Sequence, residues 1–310
     1  MGAALSRAVS AQAKALWAEF PAATRGDTRA VHRARVATRR LREALGVARA
    51  IAPGEDVART AREVRRITRA LGPVRELDVV LAALTEEPRP VIGTRDAFAF
   101  ATRRLEALRV ARRAELAAAI AAVDRPWLVQ RLAAIPRALD ATPAHLEWAR
   151  VLEDRISHRA RRVAKALGRC GTMYAPDRLH RARLAIKKLR YTLELAADAK
   201  LAVAGGGAIE ALRVAQGRFG RLHDLQVLGG HVERLAGEVG RAALGKPLVR
   251  LATAVERACR EEHAAMLPLL PPLAELAREV QHAGPEGVVR PVRMLRAGAA
   301  STRPSKRVAR

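Results

Sequence analysis

Aromatic side chains are scarce in this sequence: three Trp, two Tyr and four Phe in 310 residues. Proteins that hold single-stranded nucleic acid stack its bases on aromatic platforms, so the scarcity argues against that class of partner. Cysteine is nearly absent. Cys170 and Cys259 stand 89 residues apart, outside any redox or zinc spacing, and a reduced, cytoplasmic setting is the expectation. Long apolar runs are missing too. The two longest, 114–123 and 264–276, are too short or too Pro-broken to cross a bilayer, and no signal segment is visible, so no membrane partner is expected. Met1 to Ser6 fits a lipidation pattern and is read as coincidence. There is no GxxxxGK[ST] phosphate loop, no HExxH, no GxSxG and no acid cluster fit for Mg²⁺. Phosphoryl transfer needs a metal or a nucleophile, so binding without catalysis, cofactor or metal is the expectation.

Acid is outnumbered: 31 Asp and Glu face 57 Lys and Arg, which leaves +26 and a pI near 11.6. Such a field attracts polyanions. Fifty of those cations are Arg, whose planar fork suits phosphate, although a GC-rich genome also enriches Ala and Arg. Half of the chain is hydrophobic, enough for a sizeable core. Apolar residues recur at three- and four-residue spacings, which predicts an all-α chain with helices at 3–20, 27–50, 55–85, 94–122, 145–168, 176–198, 207–236 and 246–266, and a short one at 273–282. Pro and Gly clusters fall between them, Pro126, Pro136 and Pro143 among these.

The chain aligns with itself at a constant offset of 148 residues. Residues 31–45, VHRARVATRRLREAL, answer to 179–193, LHRARLAIKKLRYTL, with eight of fifteen positions identical. At the same offset Arg65 meets Arg213, Gly72 meets Gly220, Glu76 meets Asp224, Arg7 meets Arg155 and Lys14 meets Arg162. This reads as a duplicated four-helix unit, giving two pseudo-symmetric four-helix bundles over about 1–143 and 144–283, followed by a basic, disordered tail at 284–310.

At about 100° per residue, His32, Arg35, Arg39 and Arg42 form one stripe on their helix, opposite an apolar face of Ala34, Ala37, Leu41, Leu45 and Ala48. His180, Arg183, Lys187 and Arg190 repeat the stripe over Ala182, Ala185, Leu189 and Leu193. Like charges one turn apart weaken a helix, and a solvated face has no reason to keep them twice, so the stripes are candidate polyanion ligands. Arg65 and Arg213 join them from the third helix of each unit. Arg40 and Lys188 on the flank, Arg69, and the offset pairs Arg7/Arg155 and Lys14/Arg162 rank below. The segments Leu71-Gly72-Pro73 and Phe219-Gly220 suggest a break or kink, with Glu76, Asp78 and Asp224 capping the next helix or bracing a neighbouring Arg. No two of the eight His stand at helical metal-ligand spacing, so His32 and His180 read as phosphate donors.

The paired motifs VHRARVATRRLREAL and LHRARLAIKKLRYTLEL, each followed by LG..RELDV or FG.LHDLQVL, resemble the CHAD domain, a histidine-containing α-helical family, over residues 3 to 282. The resemblance implies two pseudo-symmetric four-helix bundles with a basic surface or pore, binding to inorganic polyphosphate and association with polyphosphate granules. It carries the binding roles to both stripes and, more weakly, to Arg65 and Arg213. Many relatives are fused to a triphosphate tunnel enzyme marked by ExExK, which is absent here, so a stand-alone binder is implied. Gly217 departs from the basic pattern of the first half. A nucleic-acid backbone binder and a polyphosphate-handling enzyme are the competing readings, with nucleic acid expected as the weaker polyanion.

Overall fold

The computed structural model describes residues 3–86, 94–141, 147–198, 201, 206–240 and 243–282. The boundary expected near 143 and the tail at 284–310 lie outside them. The described residues form ten α-helices and one 3-10 turn, with no strand. They are α1 (Ala3–Thr24), α2 (Thr28–Ile51), α3 (Glu55–Glu86), α4 (Arg95–Ala121), α5 (Arg125–Ala141), α6 (Glu147–Leu167), α7 (Pro176–Asp198), α8 (Gly206–Val239), α9 (Gly245–Met266) and α10 (Leu270–His282).

Local chemistry sets the helix ends. Gly26 turns the chain between α1 and α2 at φ 78°, and Asp27 caps α2 by accepting the Ala30 amide at 2.7 Å. Glu55 and Asp56 in the first turn of α3 face the positive end of its dipole. Of the break or kink expected at Gly72 and Gly220, no break occurs: α3 runs on through Gly72 and Pro73 and α8 through Gly220, in keeping with the predicted helices 55–85 and 207–236. An interior Gly costs about 1 kcal/mol and Pro about 3 kcal/mol, and each long helix is buried against neighbours on several sides. Helix α5 is a further correction, because the Pro-rich stretch after α4 looked like a gap. Pro126 occupies the first turn, where its missing N–H costs nothing, and Asp124 accepts the Trp127 amide at 3.1 Å. Leu128, Leu132, Ile135 and Leu139, all buried, give it an apolar face.

The packing order is the same in both halves. In the first, α2 lies on α1 and α3, α3 on α4, and α5 closes on α1; in the second, α7 lies on α6 and α8, α8 on α9, and α10 closes on α6. Asp78 holds Thr28 and Arg109, and at the equivalent place Gln226 donates to Tyr174 at 3.0 Å, so each long helix is tied to the chain entering its neighbour. The halves meet where α2 touches α6 and α7, α3 touches α8, and α4 touches α9. Helix α2 is central, and Ala30, Ala34, Ala37, Ala44 and Ala48 keep its buried face flat enough for close approach. No helix among the described residues is long and apolar enough to cross a membrane.

Leu41 is fully buried at the middle of α2. Leu41→Ala is expected to cost about 2–5 kcal/mol, read as a lower midpoint in denaturant with an unchanged slope; a cost below 1 kcal/mol would contradict the central position of α2.

Candidate functional site

Helices α2 and α7 carry their basic stripes toward each other, so the two halves contribute to one cluster. Arg39 Nη1 lies 3.4 Å from the hydroxyl of Tyr191 on α7. The charges of Arg39 and Arg183 both bear on Arg35, and those of Arg39, Arg183, Arg35 and Arg190 bear on Lys187. On the α3 side Arg42 faces Arg65 and Arg69. Where α3 approaches α8, Arg75 faces both His32 and Asp224, while His180 and His223 pack ring to ring at 5.0 Å.

Close approach depends on small residues. A Cβ on Gly72 would stand 3.1 Å from Arg35 Nη1, so glycine there leaves room for the guanidinium, which donates to the Thr68 carbonyl at 3.3 Å. On the far side of α2, Gly46 does the same for Arg155, whose Nη2 donates to the Gly46 carbonyl at 3.0 Å. Arg155 and Arg159 share the Glu43 carboxylate. Arg155 is therefore a brace between α6 and α2, and nothing places it in the cluster.

The cations of the cluster lack paired acids. Among the described residues, Arg35, Arg39, Arg42, Arg65, Arg69, Arg75, Arg183 and Lys187 have no carboxylate within ion-pair reach, and Arg183 Nε is buried without a hydrogen-bond partner. Elsewhere Arg33 pairs with Glu19, Arg104 with Glu238, Arg112 with Glu115, and Arg260 with Glu256. Burial, followed by the neighbouring arginines, pushes the Lys187 ammonium down to about 6 and Arg35 to about 10. His223 falls to about 4, through burial and then the charges of Arg183 and His180. His32 and His180 are lowered for the same reasons, so at neutral pH they offer neutral N–H donors. Asp224 is a carboxyl beside Arg183, Arg75 and Lys187, yet burial outweighs those cations and raises it to about 6.

The two ends differ. Arg190, although on the stripe, is engaged by the protein: its Nε donates to Gln216 at 2.8 Å, it pairs with Glu194, and it lies over the Tyr191 ring at 4.6 Å. Arg40 also reaches Glu194, at 3.3 Å. Arg213 is exposed and held by Glu210 one turn away, so it stands outside the cluster, unlike its counterpart Arg65. Gly217 has open space where Arg69 stands in the first half. Arg7 and Lys14 on α1, Arg162 on α6 and Lys188 on α7 are exposed, with no contact that ties them to the cluster. Arg75, Tyr191, His223 and Asp224 also stand in the cluster and were not among the binding residues read from the sequence. Tyr191 lies on α7 next to Arg190 and had no signal; for Arg75, His223 and Asp224 the signal was the acid-bearing segment after Gly72 and Gly220. Glu76 sits there with His231 Nε2 at 3.8 Å, and neither Glu76, Asp78 nor Asp224 caps a helix. Among the described residues no group of three His, Cys, Asp or Glu is placed to hold a metal ion.

The model of the CHAD domain matches residues 7–233. The fold is similar to the crystal structure of the CHAD domain from the plant Ricinus communis, with a TM-score of 0.63 at 22% identity, covering 94% of each chain. It is also similar to PptA from Streptomyces chartreusis, with a TM-score of 0.53 at 17% identity, covering 91% of this chain and 97% of that one. No curated protein matches the sequence.

Lys187 fixes a sign for stability against pH. With its folded value near 6 and its ordinary value 10.5, the unfolded chain holds a proton that the folded chain has released, so this group favours folding more as pH rises across that window. Lys187→Met is expected to stabilise the ligand-free chain at pH 7 by about 1 kcal/mol, a value discounted for partial exposure. The gap to wild type should narrow toward pH 10, as read from denaturation midpoints; a destabilised variant at pH 7 would mean that the ammonium has a partner.

Proposed function

The chain belongs to the CHAD family, and on that premise we propose that it binds inorganic polyphosphate without turning it over, along the cluster that α2, α3, α7 and α8 assemble. The observation that carries this reading is the contrast in pairing. Half-buried arginines such as Arg109, Arg155 and Arg190 are matched with Asp78, Glu43 and Glu194, while half-buried Arg35, Arg39, Arg75, Arg183 and Lys187, contributed by both halves, have no acid within ion-pair reach among the described residues. Unmatched charge of one sign in a partly desolvated place weakens the free fold and is relieved by an anion. Arg35, Arg39, Arg42, Arg65, Arg69 and Arg75 would hold the chain from one half, with Arg183 and Lys187 from the other. His32, His180 and His223 would add neutral donors.

A long polyphosphate reaches both halves, and its second contact is then intramolecular, which raises affinity without new residues. A stripped backbone of phosphates also suits the local aromatic content. Tyr191, the aromatic ring within the cluster, is buried beneath Arg190 and is not free to stack a base. The non-catalytic reading rests on the missing phosphate loop and metal-binding acids of the sequence. Residence on polyphosphate granules would follow from such binding in the cell.

The test is a titration with long-chain polyphosphate against duplex DNA and RNA at about 0.15 M salt. Polyphosphate is expected to displace both, with affinity falling log-linearly with salt. Changing Arg183 and Lys187 together to Gln should weaken it at least about tenfold and reduce the salt slope by about one, since Lys187 carries little charge at pH 7. Arg260→Gln, at an arginine already paired with Glu256 outside the cluster, should leave it unchanged. Equal retention of DNA or RNA would favour the nucleic-acid reading, and a flat salt response would remove the cluster from the binding site.

A further inference from the structure

Seven lysines occur in the chain, and Lys187 differs in its surroundings. Lys14 and Lys188 lie exposed on α1 and α7, whereas Lys187 is half-buried between the halves. From α2 it faces Arg35 and Arg39, along α7 Arg183 and Arg190, and from α8 His223 and Asp224. It makes no hydrogen bond or ion pair among the described residues. Its nitrogen is thus an unengaged donor within reach of solvent, walled by guanidinium groups that attract and orient anions. An amine is a nucleophile only when it has lost its proton, and like charges around a half-buried ammonium promote that loss.

We propose that Lys187 is a site of covalent acylation by acyl phosphates, small anionic electrophiles that the surrounding arginines hold by their phosphate group. In the step, the Lys187 nitrogen attacks the acyl carbonyl carbon and the C–O bond to phosphate breaks. Inorganic phosphate leaves with the bonding electron pair, and the proton shed by the amine goes to it or to water. The product is a neutral amide at Nζ, with no change of oxidation state and no further reactant. Arg35, Arg39 and Arg183 stabilise the charge that builds on the departing phosphate. The same pocket that captures the reagent therefore accelerates the transfer, and exposed lysines lack both advantages.

The modification replaces an amine that can take up a proton beside a bound anion with an amide that cannot. It shares the anion site with the polyphosphate reading, and the protection experiment rests on that reading; the acylation itself does not. A lysine with ordinary titration reacts faster with each rise in pH toward 10, because its neutral fraction keeps growing. Lys187, whose ammonium is already near 6, should instead reach its full rate close to neutrality.

The probe is acetyl phosphate, incubated with the full chain at several pH values and followed by intact mass and peptide mapping. Lys187 is expected to be acetylated at least about tenfold faster than Lys14 or Lys188 at pH 7, with a rate that levels off above about pH 7. Long-chain polyphosphate should protect it. Lys187→Arg should lose the fast modification while keeping its helical circular dichroism. Acetylation of Lys187 no faster than of Lys14 and Lys188, or a rate that climbs steadily to pH 10, overturns the proposal. Selective acetylation that polyphosphate fails to slow leaves the proposal standing and instead counts against the polyphosphate site. Polyphosphate binding with no selective acetylation overturns the proposal alone.

Discussion

Repulsion between like charges at the junction of α2 and α7 is the constraint that the rest of the molecule accommodates. Arg35, Arg39, Arg183 and Lys187 stand close enough for each to disfavour the charge of another, and no acid among the described residues pairs with them. They stay together because each is the outer face of a helix whose inner face is locked in apolar contact. Ala34, Ala37 and Leu41 lie beneath one stripe and Ala182, Ile186 and Leu189 beneath the other, all buried. Apolar burial is worth roughly 25 cal/mol per Å² and is neither titrated by pH nor weakened by ionic screening, so it can hold a site that electrostatics alone would open. On the opposite side of α2, Glu43 draws Arg155 and Arg159 together and fixes α6 against it. Acid thus pairs with arginine where the halves are fastened, and among the described residues forms no ion pair with Arg35, Arg39, Arg183 or Lys187 where they present charge outward.

Much of this was legible in the sequence, and for a definite reason. Helical periodicity depends on local spacing, so the stripes, their apolar undersides and the repeated order of the helices could be read from residues three or four apart. Interruptions were read less well. Pro126 and Pro136 looked like loop residues, yet the spacing of Leu128, Leu132, Ile135 and Leu139 carried the helical signal. Gly72-Pro73 and Gly220 looked like breaks or kinks within the predicted helices 55–85 and 207–236, because propensity alone does not register the packing that carries α3 and α8 on through them unbroken.

The candidate site was legible as two stripes, and its joining was not. Nothing in the order of residues says that Arg39 will meet Tyr191 or that His180 will meet His223, since those encounters depend on how helices distant in sequence cross. For the same reason the sequence does not show that Arg190, Arg155 and Arg213 are engaged by the protein itself. Their pairing with Glu194, Glu43 and Glu210 is a property of neighbours that a stripe on a single helix does not disclose.

The unequal ends of the cluster bear on the direction of whatever lies in it. At one end Arg42, Arg65 and Arg69 stand open; at the other Arg190 is closed off by Gln216 and Glu194, so the site has a head and a tail even though its two halves share a plan. Peptides and nucleic acids have polarity of their own, and in such a site only one of their two orientations would fit best. A chain of identical phosphoryl units has none. It reads the same from either terminus, so threading it backwards carries no penalty, and every encounter offers two equivalent ways in.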